Sequence, residues 1–315
     1  METPERIAGI HHVTAVAGDP AVNRSFYTGL LGLRLVKRTV NFDAPESWHL
    51  YYGDREGRPG TTLTFFSWPE LPEGRRGRRQ VTAVALAVPE DSLGWWAERL
   101  EGKGVRVEGP RERHGRRVAT LLDPEGLRLE LVETTWASRR QGWGQGDVPG
   151  DQAVRGVEGV EMTVGSADAS AALLEDAFGL ERRPLDGERT RFTASGGGPG
   201  RRLDLVAAPT APAGRVARGS VHHVAFRTPD EETQGRWRRA LDERGLAVTP
   251  VRDRHYFRSV YFREPGGVLF EIATEEPGFT LDEDVEGLGS GLRLPPWLED
   301  RREEIEGALP PLEGG

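Results

Sequence analysis

The chain has 315 residues, with 42 Lys or Arg against 50 Asp or Glu and a formal charge of −8, a balance that argues against a general nucleic-acid binder. It has no cysteine, which excludes disulfides and thiol nucleophiles and leaves only nitrogen and oxygen ligands for any metal. No apolar run approaches membrane-spanning length and the first residues carry no signal-like apolar stretch, so a soluble cytoplasmic protein is expected.

Read in chain order, one small unit recurs four times. Unit one, 8–68, reads as a strand at 12–17, a helix at 21–31 and strands at 34–40, 48–52 and 61–66. Unit two, 80–134, repeats this with a strand at 81–88, a helix at 93–103 and strands at 105–108, 118–122 and 127–132. A polar, glycine-rich stretch at 141–154 makes 135–155 a linker. Unit three, 156–208, is the least regular, with a strand at 160–164, a helix at 167–178 and strands at 180–184, 189–194 and 202–207. Unit four, 219–275, has a strand at 223–227, a helix at 231–244 and strands at 248–252, 259–262 and 268–273; a tail, 276–315, follows.

Alternation marks the strands, spacings such as Trp95/Leu100 and Leu173/Leu174/Phe178 mark the helices, and Gly32, Gly104, Gly179 and Gly245 stop them. A βαβββ unit leaves one sheet face bare and must pair to bury it. The expected fold is therefore α+β, four βαβββ modules forming two paired-module barrels. The basic run Arg75, Arg76, Arg78, Arg79 reads as a solvated loop. Gly196-Gly197-Gly198-Pro199-Gly200 reads as a hairpin loop, since no Lys-Ser/Thr follows to make it a phosphate loop.

A His-His pair opens the first strand of units one and four, as Gly9-Ile10-His11-His12-Val13-Thr14 and Ser220-Val221-His222-His223-Val224-Ala225. Neighbouring strand residues point to opposite faces. His11 shares its parity with Val13 and Ala15, and His222 with Val224 and Phe226, which assigns them to the helix-packed side and His12 and His223 to the concave side. In the last strand Val268, Phe270 and Ile272 take the helix side and leave Glu271 inside. His12, His223 and Glu271 thus form a ligand set for a divalent metal. Aligning the segments that begin at Pro59 and Pro265 places Phe65 where Glu271 sits, so unit one offers no fourth ligand. Units two and three carry Ala83, Glu130, Gly159 and Asp204 at the corresponding places and no histidine. A single site built from units one and four requires modules 1 and 4 to pair, and modules 2 and 3 to pair with each other.

Two imidazoles and a carboxylate leave adjacent positions open on an octahedral Fe(II), enough for a phenolate and O2; Mn(II) suits the same ligands. An isomerase on such a scaffold would close a fourth protein ligand around its metal. Tyr261 lies on the preceding strand with Glu271-side geometry, its unit-one counterpart is Tyr51 with His49 two residues before, and Arg254 and His255 lie in an approach loop. This suits a small aromatic diol.

The units resemble the vicinal-oxygen-chelate superfamily of glyoxalase I, extradiol dioxygenases and fosfomycin-resistance proteins, and more narrowly its hydroquinone-type ring-cleaving dioxygenases. The segments that carry the resemblance include His11-His12-Val13-Thr14, Leu35-Val36-Lys37-Arg38-Thr39-Val40-Asn41, His49-Leu50-Tyr51-Tyr52, Asp253-Arg254-His255-Tyr256-Phe257-Arg258-Ser259 and Gly278-Phe279-Thr280-Leu281-Asp282-Glu283-Asp284. The resemblance implies an Fe(II) triad at His12, His223 and Glu271, with Tyr261, Arg254, His11, Thr14 and His222 around substrate and oxygen. For His11 and His222 this conflicts with the parity rule unless the strand twists there. His11, His222, His49 or His255 would supply a proton, and 276–284 would cover the mouth as a lid. A glyoxalase-like isomerase or lyase, or a binding protein without oxygenase activity, are the competing readings. Exposed barrel edges make a homodimer plausible.

Overall fold

The structure, a computed structural model, describes residues 5–313. Unit one supplies β1 (Ile10–Ala17), β2 (Arg34–Asn41), β3 (Ala44–Gly53) and β4 (Thr62–Ser67); unit two supplies β5 (Gln80–Val88), β6 (Glu108–Arg113), β7 (Arg116–Leu122) and β8 (Arg128–Glu133). Unit three supplies β9 (Val157–Val164), β10 (Glu181–Arg182), β11 (Arg189–Thr193) and β12 (Arg202–Ala207), and unit four β13 (Ser220–Thr228), β14 (Arg252–Asp253), β15 (Arg258–Arg263) and β16 (Leu269–Thr274). Two eight-stranded sheets result, ordered β14-β15-β16-β13-β1-β4-β3-β2 and β10-β11-β12-β9-β5-β8-β7-β6. The strands of units one and four thus share one sheet, joined where β1 runs antiparallel to β13, and those of units two and three share the other through β5 and β9. Each sheet curls into an open barrel whose convex face meets the helices.

The helix faces and convex sheet faces form one apolar core that runs between the sheets, with Trp96, Phe178 and Trp237 at its centre. The helix Leu93–Gly102 buries Leu93, Trp96 and Leu100; Trp96, not Trp95, is the inward tryptophan, because a period of 3.6 places positions four apart on one stripe. The first and third helices lie where their apolar spacing predicted but are not α-helical throughout. Each begins as α-helix, at Pro20–Arg24 and Asp168–Ala172, and widens into a π-helical turn at Ser25–Leu30 and Leu173–Ala177. Asp19 caps the first, accepting from the amides of Ala21 and Val22.

In the 141–154 stretch Val148, Ala153 and Val154 are buried in the shared core. Gly32, at positive φ, lies so close to Val148 that a Cβ would meet it at 2.7 Å. The tail behaves otherwise than as a lid. Phe279 and Leu288 pack with Val36, Tyr51, Ala225 and Tyr256 inside the concave side of the first sheet, and fully buried Lys37 donates to both Asp282 and Glu283. A buried ammonium with two carboxylates and the Tyr256 ring 4.8 Å away is a fixed anchor. Among the described residues no helix is long and apolar enough to cross a membrane.

Candidate metal centre

The site grows from the seam at the middle of the first sheet. In the β1–β13 register His12 faces Ala225 and Thr14 faces His223, a local two-fold arrangement that sets both imidazoles on the concave side while Val13 and Val224 enter the core. β16 runs parallel to β13 with Glu271 beside Ala225. His12, His223 and Glu271 are all buried, and one ligand atom from each lies within 4.8 Å of the others.

Their free atoms fit a cation. Glu271 Oε1 accepts from the Ser259 hydroxyl, while Oε2 lies 2.8 Å from His223 Nε2 and 3.5 Å from His12 Nε2. Despite the short approach, His223 Nε2 and Glu271 Oε2 are both buried without a hydrogen-bond partner among the described residues. Buried polar atoms without partners are rare, and two of them converging with His12 Nε2 make a set that a divalent ion satisfies. Burial alone would raise the Glu271 carboxyl, but the two imidazoles hold it well below the usual range. Burial holds the His223 imidazole below its ordinary value despite Glu271. An ionised carboxylate and, at His223, an imidazole disposed to stay neutral are the states that ligation needs.

The opposite ring nitrogens are also committed. His12 Nδ1 lies 2.9 Å from His11 Nδ1, and His223 Nδ1 lies 2.8 Å from His222 Nδ1. A ligand histidine that offers Nε2 must carry its proton on Nδ1 and donate it to its neighbour. Burial, helped by His12 and His223, drives His11 and His222 each down to about 3, which keeps them neutral acceptors. Strict alternation assigned both to the helix side, and this is where it fails. The register steps from Ile10↔Phe226 to His12↔Ala225 and from Thr14↔His223 to Ala15↔Val221, so His11 and His222 are the extra residues of two bulges. A bulge re-aims a side chain, and here it turns each second histidine toward the first.

A one-residue slip corrects another expectation. β4 lies parallel to β1 with Thr14 opposite Thr64, and β16 lies parallel to β13 with Ala225 opposite Glu271. Since Thr14 and Ala225 each follow their histidine by two, Thr64 occupies the place of Glu271, and Phe65 points to the other face, 4.6 Å from the Tyr27 ring. Thr64 follows Pro59 by five residues where Glu271 follows Pro265 by six, and a one-residue difference exchanges the faces of a strand. Thr64 donates to Thr14 Oγ1 at 2.9 Å, His49 Nε2 lies 2.9 Å from Thr64 Oγ1, and Tyr51 Oη lies 2.9 Å from His49 Nδ1. Burial first, then His12 and His223, holds His49 well below its ordinary value.

Over the ligands lies a narrow cleft of about 40 Å³, walled by Phe42, Phe66 and Phe257 and reached by His49, Tyr51, Arg254 and Tyr261. Tyr261 sits opposite Glu271 in the β15–β16 register. Arg254 Nε donates to Tyr261 Oη at 3.2 Å, and its Nη2 donates to Asp43 at 2.8 Å. Burial and then Glu271 push the Tyr261 phenol upward. His255 lies outside this cleft, 3.5 Å from Asp282. No residue of 276–284 walls the cleft; Asn41 and Phe42, at the β2–β3 turn, do. Ser259 and Asp43 were not singled out from sequence. Ser259 was legible, since it shares strand parity with Tyr261; Asp43 arrives from a distant turn that no local pattern marks.

In the second sheet the place of Glu271 is taken by Glu130, opposite Ala85, and Asp204, opposite Glu161. Arg113 donates to Glu130 at 2.6 Å, Arg191 holds Asp204 with two bonds at 2.7 and 2.9 Å, and Arg128 and Arg189 both reach Glu161. With Arg202 within 3.8 Å of Glu130 and Asp204, five guanidinium groups (Arg113, Arg128, Arg189, Arg191, Arg202) face three carboxylates.

The comparisons with known proteins agree with this geometry. The pattern of the glyoxalase/bleomycin resistance protein/dioxygenase superfamily matches residues 9–131 and 156–272, one match on each side of the 141–154 stretch. The chain is 43% identical over 98% of both lengths to "Putative ring-cleaving dioxygenase MhqO" of Bacillus subtilis. It is 34% identical, over 97% of both lengths, to the chlorohydroquinone/hydroquinone 1,2-dioxygenase of Sphingobium indicum. The crystal structure of a "putative dioxygenase" from Bacillus subtilis superposes with a TM-score of 0.92 at 43% identity over 98% of both chains. Glyoxalase I of Zea mays, at 17% identity over 85% of this chain and 92% of its own, shares the fold with a TM-score of 0.62. A repeated βαβββ unit, two sheets each built from two such units and a match on both halves have one common reading: the chain belongs to the glyoxalase/bleomycin resistance protein/dioxygenase superfamily.

Proposed function

We propose that this chain is a metal-dependent ring-cleaving dioxygenase acting on a small hydroquinone-type diol, with Fe(II) held by His12, His223 and Glu271 and Mn(II) as the alternative occupant. The observation that carries the reading is the buried set of ligand atoms, two of them unpartnered, beneath a cleft with aromatic walls. The relatives support the substrate class: one is named for hydroquinone cleavage and others for ring cleavage. Thr64 supports an open coordination sphere, since its hydroxyl is spent on Thr14 and His49 and it stands where a fourth ligand would. Iron at this place would supply an electron path between the ring and dioxygen.

The chain's own groups do the rest. Phe42, Phe66 and Phe257 hold the ring and exclude water. Tyr261, whose hydroxyl stays protonated, donates to a phenolate oxygen, and Arg254 behind it offsets the negative charge. Asp43 fixes the free edge of Arg254. His11 and His222 hold the tautomer of the ligand histidines, and Thr14 holds Thr64. His49, tied to Tyr51 and Thr64, is placed to pass a proton into the cleft.

The deciding experiment loads metal-free protein with Fe(II) anaerobically and follows oxygen consumption with hydroquinone and with catechol. Uptake with hydroquinone is expected, falling by at least about 1000-fold in His12→Ala and Glu271→Ala, in line with loss of a group central to the chemistry. No uptake with either diol at full iron loading would overturn the proposal.

A further inference from the structure

We infer that the second barrel carries a binding site for a small oxyanion with at least two negative charges, separate from the metal centre. The site is the cleft between the β6–β7 turn, β11 and the glycine-rich 195–200 loop, where Arg191, Arg201 and Arg202 converge with His114. Arg116 and Arg183 lie beside them, paired with Glu158 and Glu181, which also line the cleft together with Asp186. The arginine network behind it holds five guanidinium groups against three carboxylates, an excess of two charges at a largely buried place. Buried charge without a counter-charge is costly, and a bound dianion would balance it.

The decisive detail is Arg202. Only 4% exposed, it walls the cleft, yet its Nε and Nη1 donate to no group among the described residues. Its distances to Glu130 and Asp204, 3.8 Å each, are too long for hydrogen bonds. Arg201 Nε and His114 Nε2 lack partners as well. A planar fork with free N–H groups suits a carboxylate or phosphate, which it binds through parallel hydrogen bonds. Burial and the positive neighbours Arg202 and Arg116 draw the Arg191 guanidinium below its ordinary value although Asp204 pairs with it, as expected of cations crowded without enough counter-charge. The glycines of the 195–200 loop leave one wall free of side chains beyond Cα, so backbone amides can approach a ligand closely.

The test is thermal unfolding of the metal-free, full-length protein in potassium phosphate and in potassium succinate, each against potassium chloride at equal ionic strength. Either anion, at saturation, should raise the midpoint by roughly 2–4 °C over chloride. A rise with phosphate alone assigns a phosphate-bearing ligand, and a rise with succinate alone assigns a dicarboxylate. Arg202→Gln should abolish the rise. The half-buried Arg201→Gln, which leaves the network intact, should reduce it at least about tenfold in midpoint anion concentration, the effect of losing a charged hydrogen bond. Arg254→Gln, in the other barrel, should leave it unchanged. No anion-specific rise, or a rise lost in Arg254→Gln and kept in Arg201→Gln, would overturn the inference.

Discussion

The two barrels put acidic side chains at the same place and neutralise them in different ways. In the first, Glu271 is met by His12 and His223, whose imidazoles leave an exchangeable place for a cation. In the second, Glu130 and Asp204 are met by Arg113, Arg191, Arg128 and Arg202, whose charges are permanent and covalently attached. A buried carboxylate needs a positive partner in either case. Imidazoles allow that partner to be a metal, which can bind substrate; guanidinium groups fill the same space and leave no place for a cation. One repeat therefore gives a place for a cation in one barrel and an arginine cluster that excludes one in the other.

The sharpest way to break this comparison is to remove the acid from each barrel. Asp204→Ala leaves Arg191 without its two-bond partner in a buried setting and should cost about 3–5 kcal/mol of stability. Oxygen uptake per folded molecule should hardly change. Glu271→Ala should do the reverse, abolishing uptake and iron binding while the metal-free protein unfolds at a similar denaturant concentration. Paired denaturant melts and uptake assays on both variants read this directly; a large loss of uptake in folded Asp204→Ala would show that the second barrel takes part in the chemistry.

The second prediction concerns the bulged histidines. If His11 and His222 hold the tautomers of His12 and His223, then His11→Leu or His222→Leu should weaken iron or manganese affinity about 10- to 100-fold. Competition with a chelator of known affinity measures it. Simple packing residues would instead lower the melting temperature and leave metal affinity untouched.

The same histidines mark the boundary of what the sequence carries. Period-two alternation was enough for His12, His223 and Glu271, because each lies in a stretch of regular pairing on one side of the seam. It failed one residue away, at His11 and His222, because a bulge is a property of two strands meeting and leaves no mark on either alone. It failed at Phe65 for a related reason: the alignment assumed equal spacing from Pro59 and Pro265 into the strand, and the spacing after Pro59 is one residue shorter, which exchanges Phe65 for Thr64. Repetition gave the four units, since each repeats a strand–helix–strand pattern with its own glycine stop. The tail defied reading because its contacts, Lys37 with Asp282 and Glu283, span some 245 residues and belong to no local period. Asp43, which fixes Arg254 from 211 residues away, was hidden likewise.

The smallest expected effect lies where the two barrels touch. Tyr27, on the first helix, donates to Asp123 in the β7–β8 turn at 2.9 Å, and burial pushes the Asp123 carboxyl up to about 6 against the hydrogen bonds that favour its ionised form. The folded state thus prefers this acid protonated. Its contribution to stability is full below about pH 4, is lost as the pH rises through about 6, and stays lost above that. Asn at this position keeps an acceptor for the amides of Glu125 and Leu127 and never ionises. Asp123→Asn should therefore be more stable than the parent by about 1–2 kcal/mol at pH 7 to 8, with the difference shrinking toward zero near pH 4. Denaturant midpoints of both proteins across this range would show it. A constant difference at every pH would mean that the contact between the barrels rests on the shape of this pair rather than on its charge.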